Sequence, residues 1–379
     1  MKKALITASV YGFIGSFEKS NINILLEQGY EVHVATNMSK ELKAFGDIGQ
    51  LEGINIIKHQ ISYSRSPLSF QTIKSYKAIK KLIKEENFDL IHCHTPVAAM
   101  LTRLAARKRR KQGTKVIYTA HGFHFFKGAS VLNWLIYFPV EFICSFFTDI
   151  LITINQEDYK LATKAMKAKK IQYIPGIGID LNKFKDVKVN KAEKRRQLGV
   201  PEKAILLLSI GELSKRKNHQ IIIEAIKHLN DSNVYYCIAG QGDLAEYLKN
   251  KVHRLGLDNR VIFLGFRSDV LELYQVSDIF AFPSLQEGLP VALMEAMAVG
   301  LPVIASDIRG NIDLIKNKKG GYLCNPNSKI EFLNALKYLT EDNKVIPIMK
   351  ENNLMLINNF SLERVKEMMS EIYNLVIKP

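Results

Sequence analysis

Acidic residues are scarce in this chain: 37 Asp and Glu stand against 53 Lys and Arg in 379 residues, a formal charge of +16. Such a surplus favours anionic partners, whether nucleic acid, an anionic membrane face or phosphorylated substrates. No zinc finger, helix-turn-helix or aromatic RNA-binding motif is present, which sets nucleic acid aside. Cysteine is scarce too. The four residues, Cys93, Cys144, Cys237 and Cys324, form no C-x-x-C pair, as expected of a reduced cytosolic protein. No internal repeat changes this picture.

Long hydrophobic runs are few. The opening MKKALITASVYG has a brief apolar run that continues into a strand–loop–helix pattern, so it reads as a first strand rather than a signal peptide. The longest run, VLNWLIYFPVEFICSFFTDILITI, is broken by Pro139, Glu141 and Asp149, and charges in mid-span are costly in lipid. A buried or interfacial helix ending near Thr148, then a strand DILITI, is the expectation. The densest basic run, RLAARKRRKQG, falls on a helix whose plain reading is a solvated face.

What is present is alternation. Hydrophobic residues make up 47 % of the chain, enough for two cores, and the length favours two domains. Apolar runs KALITAS, YEVHVAT, GINIIKHQI, FDLIHCHTP, KVIYTAHG and DILITIN are separated by helical stretches such as FEKSNINILLEQG, closed by Gly29. After a charged stretch the pattern restarts with ILLLSIG, VYYCIAG, VIFLGF, DIFAFPS and PVIASD. This is the signature of parallel sheets covered on both faces. The expected architecture is α/β, two doubly wound Rossmann-like domains facing a central cleft. They comprise 1–178 as a first Rossmann-like domain, 179–200 as linker and first helix of the second, 201–358 as the second Rossmann-like domain, and 359–379 as a terminal helix that can pack on either domain. Ligands in such sheets lie at the carboxyl ends of the strands.

One segment concentrates chemistry: PSLQEGLPVALMEAMAVGLPVIASD. Pro290 suits the first position of a helix, where its missing N–H costs nothing, and Gly300 with Pro302 ends that helix. Free N–H groups at Gly288, Leu289 and Val291 would form a phosphate site. Glu295, five residues past Pro290, lies roughly 7.5 Å down the axis, about the distance from a diphosphate to a nucleotide's ribose. Glu287 would face the other end. Each carboxylate accepts paired hydroxyls, as a polyol requires. The plain alternative is that Glu287 caps the helix and Glu295 lies on the surface.

Read with its neighbours, this segment resembles the E-x-x-x-x-x-x-x-E motif of the retaining glycosyltransferases of family four, which have the GT-B fold. LSIGELSKRKNHQIIIEAI resembles that family's G-R-L-x-x-x-K-G, CIAGQGDLAEYL its V-G-x-G-P, and VIFLGF its V-x-F-x-G; DLIHCHTP and TAHGFHF match the N-terminal half. The likeness spans nearly the whole chain. It implies that Glu295 holds ribose hydroxyls and Glu287 those of the transferred sugar. Amides of Gly288, Leu289, Pro290's neighbour Val291 and the surrounding loop would hold the diphosphate with Lys217. The backbone at Phe266 and Arg267 would pair with the base, and His121 would orient the donor. The family's arginine after the glycine of G-R-L is Glu212 here, a repulsion on the order of a few kcal/mol where screening is poor. Arg216 and Lys215 are expected to supply the missing charge.

The resemblance further implies a hexosyl- or N-acetylaminosugar transferase using a UDP-sugar, with no cofactor. No D-x-D triplet occurs, so no metal is expected to bridge the diphosphate. The acceptor would be a polyprenyl-diphosphate-linked saccharide, a capsule or exopolysaccharide precursor. The enzyme would then be cytoplasmic and peripheral at the inner face of the membrane, docked on anionic lipid by its basic helix. YGFIGSF lacks a full G-x-G-x-x-G, so Gly15 and Ser16 are read as a phosphate or acceptor loop rather than a dinucleotide site. His92 and His94 share one face of a strand; two ligands without a third make a thin metal case, and His94 is read as meeting the acceptor. The alternatives are a sugar-nucleotide epimerase and a catalytically silent partner subunit.

Overall fold

The computed structural model describes residues 1–39, 51–64, 69–185, 187–342 and 344–377. The chain forms two compact units: 1–178 together with 363–379, and 179–362. The first carries a seven-stranded sheet of β1 (Lys2–Val10), β2 (Tyr30–Asn37), β3 (Ile57–Gln60), β4 (Leu90–His94), β5 (Lys115–Ala120), β6 (Ile150–Thr153) and β7 (Lys170–Tyr173). Its order is β3-β2-β1-β4-β5-β6-β7. The second unit's sheet consists of β8 (Ile205–Ile210), β9 (Val234–Ala239), β10 (Val261–Gly265), β11 (Ile279–Phe282), β12 (Val303–Ser306) and β13 (Gly321–Cys324), ordered β10-β9-β8-β11-β12-β13. Every pairing between these strands is parallel. Central strands such as β4 and β11 are buried along their whole length, which is why they read as unbroken apolar runs rather than alternating ones. Strand order reverses between β1 and β4, and again between β8 and β11. Loops diverge at those two points and leave room for a ligand.

Local differences from the sequence reading have physical causes. Residues 11–27 form two helices, Tyr11–Phe17 and Lys19–Glu27, not one after a loop. The break falls at Glu18, whose side chain turns inward and is 1 % exposed. The helix Val131–Ser145 is capped by Ser130, whose hydroxyl accepts from the Asn133 amide. Glu141 within it is neutralised by Arg103, Nη2 to Oε2 at 2.8 Å, and the Arg103 guanidinium lies 4.0 Å from the Tyr118 ring centroid. Arg103 is therefore core, and the basic face shrinks to Arg107, Lys108 and Lys111 as exposed groups. Arg110 is tied to Asp149, Nε to Oδ2 at 2.9 Å.

The charged stretch after 179 belongs to the second unit's framework. Arg195 is buried and donates to the carbonyls of Val276, Glu202 and Ala204, with an ion pair to Asp278. The helix Leu362–Ile377 packs into the first unit, with Val365, Met369, Ile372, Tyr373 and Val376 in its core. Among the described residues, no helix is long and apolar enough to cross a membrane.

Candidate functional site

In the second unit, polar side chains gather at the carboxyl ends of β8 and β11. Past β8, the turn Lys215–Lys217 is followed by Asn218 in the left-handed region, and its Arg216 carbonyl accepts from the Leu285 amide at 2.7 Å. That backbone bond joins the two loops. It sets Lys217 Nζ 2.8 Å and Arg216 Nη1 2.7 Å from the same Glu287 oxygen, Oε1. Lys217 also lies over Phe282, 4.6 Å from its ring centroid. Burial holds the Lys217 ammonium below its usual pKa, against the pull of Glu287. From behind, the buried Arg309 donates to the Glu287 carbonyl at 3.2 Å. Gly310, at φ +79°, presses so close that a Cβ there would sit 2.2 Å from the Gly288 oxygen.

The helix after this loop is Val291–Ala298. Pro290 precedes it as an extended cap, φ −81° and ψ 120°, rather than serving as its first helical residue. The chain has to turn from the Gly288 loop before the helix starts, and Pro290 makes that turn. Gly300, at φ +79°, follows its end. Glu295 is half-buried on this helix, not a surface residue. Tyr274, itself fully buried, donates its hydroxyl to Glu295 Oε2 at 2.9 Å and approaches the Ala292 carbonyl at 3.0 Å. Burial raises the Glu295 carboxyl above its ordinary range, and the Tyr274 bond offsets part of that rise. Glu212 points to solvent with Arg216 4.0 Å away, so its charge is screened and loosely paired. Phe266 is 77 % exposed, and the Arg267 side chain is held by Asp269, Nε to Oδ1 at 2.7 Å. This leaves the backbone of that turn as its distinguishing contribution.

In the first unit, Glu18 follows β1, His92 and His94 lie on β4, and His121 follows β5. His94 Nδ1 is 3.1 Å from Glu18 Oε1 and 3.2 Å from His121 Nε2, while His121 Nε2 is 3.5 Å from Glu18 Oε1. His92 bonds Thr119 Oγ1 and the Tyr373 hydroxyl, both at 2.8 Å. Burial lowers His92 to about 3 and His94 well below the usual imidazole value, so both are neutral. His121, with its side chain 20 % exposed, is the ring that reaches the surface. Two expectations change accordingly. His94 has no exposed face and meets a ligand only through His121. Gly15 and Ser16 lie in the helix Tyr11–Phe17 rather than in a loop, Gly15 buried and Ser16 exposed.

Glu18 supplies a third potential ligand beside His92 and His94, each offering one ligand atom within 4.8 Å of the others. The donor set fits a hydrogen-bonded network better than a metal, however. Both His92 nitrogens are engaged and His94 Nδ1 is shared, leaving His94 Nε2 as the buried nitrogen without a partner. Glu18, Tyr274, Arg309 and Tyr373 are the contributors that sequence reasoning missed. Their only sequence signal was a polar residue in or beside an apolar segment.

Two doubly wound parallel units, each with its polar cluster where strand order reverses, define the GT-B class of glycosyltransferase fold. Comparison with known proteins agrees. The family described as "Glycosyl transferases group 1" matches residues 190–355, and "Glycosyl transferase 4-like" matches 9–155. Over 377 residues the chain is 35 % identical to "Putative glycosyltransferase EpsD" of Bacillus subtilis (strain 168), covering 98 % of this chain and 96 % of that one. The chain belongs to this glycosyltransferase family. It is also 34 % identical over 310 residues, 79 % of each chain, to the Escherichia coli UDP-Gal:alpha-D-GlcNAc-diphosphoundecaprenol alpha-1,3-galactosyltransferase. The structure of Anabaena Alr3699/HepE in complex with UDP superposes with a TM-score of 0.79 over 99 % of this chain and all of that one; at 23 % identity this speaks for the fold alone.

Proposed function

We propose that this chain transfers a hexose or N-acetylamino sugar, with retention at the anomeric carbon, from a UDP-sugar to a saccharide carried on polyprenyl diphosphate. The observation that carries the reading is the pair of acids flanking one helix start. Glu295 is oriented by Tyr274, and Glu287 is held against Lys217 and Arg216. The names of two relatives support the acceptor, since both the Escherichia coli and a Campylobacter jejuni protein act on a diphospho-undecaprenol saccharide.

In this reading the ribose hydroxyls donate to Glu295, and the backbone at Phe266 and Arg267 pairs with the base. The diphosphate takes Lys217 and Arg216 from Glu287, with the amides of Gly288, Leu289 and Val291 around it. Glu287, released from its cations, accepts hydroxyls of the transferred sugar. The leaving phosphate oxygen takes the acceptor's proton while Lys217 and the helix start stabilise its charge. Positioning and charge stabilisation then supply the catalysis, with His121 as the first unit's contribution. For the acceptor's lipid, the first unit offers a surface. Val131, Leu132, Leu135, Ile136 and Ile143 are exposed on one helix, and Arg107, Lys108 and Lys111 are exposed near the end of another that packs against it. This is the face proposed to meet the inner leaflet.

Thermal stabilisation by a panel of nucleotides and sugar nucleotides tests the donor. UDP and one of its sugars should stabilise the protein selectively, and Glu295→Ala should weaken the effect. If no nucleotide stabilises it, the reading fails and a silent partner subunit takes its place.

A further inference from the structure

We propose that Glu18 is a positioning residue for His121, fixing which of its ring nitrogens carries the proton. The inference rests on the reading above insofar as His121 serves the transfer.

Glu18 is a buried carboxylate with no Lys or Arg partner among the described residues. Such a group requires N–H donors. Asn21 Nδ2 donates to Oε2 at 2.6 Å, and His94 Nδ1 faces Oε1 at 3.1 Å. His94 is wholly buried and neutral, so it has a single N–H. That N–H belongs on Nδ1, because Nε2 has no partner while Nδ1 is hydrogen-bonded to His121 Nε2 with the Glu18 carboxylate 3.1 Å beside it. The same Nδ1 lies 3.2 Å from His121 Nε2, which must then be an acceptor. His121's own proton is thereby placed on Nδ1, and that edge of the ring becomes the donor.

The ring is also kept from turning. Phe13 packs edge-on at 4.9 Å between centroids, and Phe17 lies at 6.4 Å. The Glu18 carboxylate, 3.1 Å from His94 Nδ1 and 3.5 Å from His121 Nε2, thus selects the tautomer. The state of a histidine is commonly set by the partner of its other nitrogen in this way. Beside the pair, a cavity of about 20 Å³ lined by Glu18, Asn21, Thr119 and His121 has room for a single water.

A structural role is the competing explanation, because Glu18 also joins two helices. Long-range proton–nitrogen spectra of histidine-labelled protein, with His121 assigned through His121→Asn, separate the two. The wild type should show His121 as the Nδ1–H tautomer. In Glu18→Gln the side-chain amide can donate toward His94, and the Nε2–H form of His121 should become the main one. Turnover should fall roughly a hundredfold, with the donor KM within about twofold, and Glu18→Asp should recover part of it. Asn21→Ala removes the partner on the helix side and should leave the tautomer unchanged.

An unchanged His121 tautomer in Glu18→Gln would overturn the proposal. So would a stoichiometric metal in the purified wild type that is lost in His92→Gln. If Glu18→Gln does not fold, His94→Gln puts the same question to the spectrum. Stabilisation of the wild type by UDP is read separately, so that failure of the donor reading leaves the tautomer result standing.

Discussion

Replacing Tyr274 by Phe tests the donor site through one hydroxyl. The ring is fully buried and packs at a tilt against Phe280, 5.6 Å between centroids, so the substitution keeps the packing and removes only the oxygen. What is lost is the O–H donated to Glu295 Oε2 at 2.9 Å. A hydrogen bond to a charged group contributes about 1.5–3 kcal/mol. Because that bond exists before UDP arrives, the variant loses affinity only to the extent that UDP must then hold Glu295 in place itself, at most roughly a hundredfold at about 1.4 kcal/mol per decade. The loss should also depend on pH. Burial already raises the Glu295 carboxyl and the Tyr274 bond partly restrains it, so without that bond it climbs further. A protonated Glu295 no longer accepts from two ribose hydroxyls, so affinity should fall further as pH decreases. Calorimetric titration of UDP into both proteins at pH 8 and pH 6 measures the effect. If Tyr274→Phe matched the wild type at both values while Glu295→Gln bound poorly, the reasoning would be refuted, because the carboxylate would not owe its orientation to Tyr274.

Acid should weaken the protein through its buried neutral histidines. Burial lowers His92 to about 3 and His219 to about 4, so below the free imidazole value the unfolded chain takes up protons that the native state refuses. Stability is then lost as pH falls through the range from about 6.5 down to those values, by about 2 kcal/mol per histidine between pH 7 and 5. Urea unfolding at the two pH values should show that part of this sensitivity disappears in His92→Gln; an unaltered pH dependence would count against it. Sedimentation with vesicles tests the membrane face: wild type should bind anionic but not neutral vesicles at low salt, and Leu132→Glu with Leu135→Glu should abolish this. Equal binding by the double variant would remove that surface from consideration.

The parts legible in the sequence were those whose signal is local. Pro290, Gly300 and the spacing of Glu287 and Glu295 announce a helix with an acid on each side of its start, and the apolar runs announce buried parallel strands. What stayed hidden depends on strand order. Glu18, His94 and His121 lie far apart in the chain and meet because β4 sits between β1 and β5. Arg103 looked like one member of a basic run, yet its partner Glu141 comes from another helix and draws it into the core. The break at Glu18 was illegible for the same reason. FEKSNINILLEQG does not single it out, because the inward side chain is met by Asn21 of the next helix together with His94 and His121 from other elements. Tyr274 and Arg309 act on Glu295 and Glu287 from neighbouring segments, a support that no spacing rule within the motif contains.

The placement of Tyr373 bears on how the protein is made. Its hydroxyl completes the bonding of His92, yet the ribosome polymerises 280 residues between them, including the whole of the second unit. The second unit can therefore close during synthesis, while the first, although begun earlier, waits for its last helix. Until then the nascent first unit keeps an apolar trough open where Val365, Met369 and Ile372 will lie. Slow or stalled translation of that helix should harm the unit that was begun first.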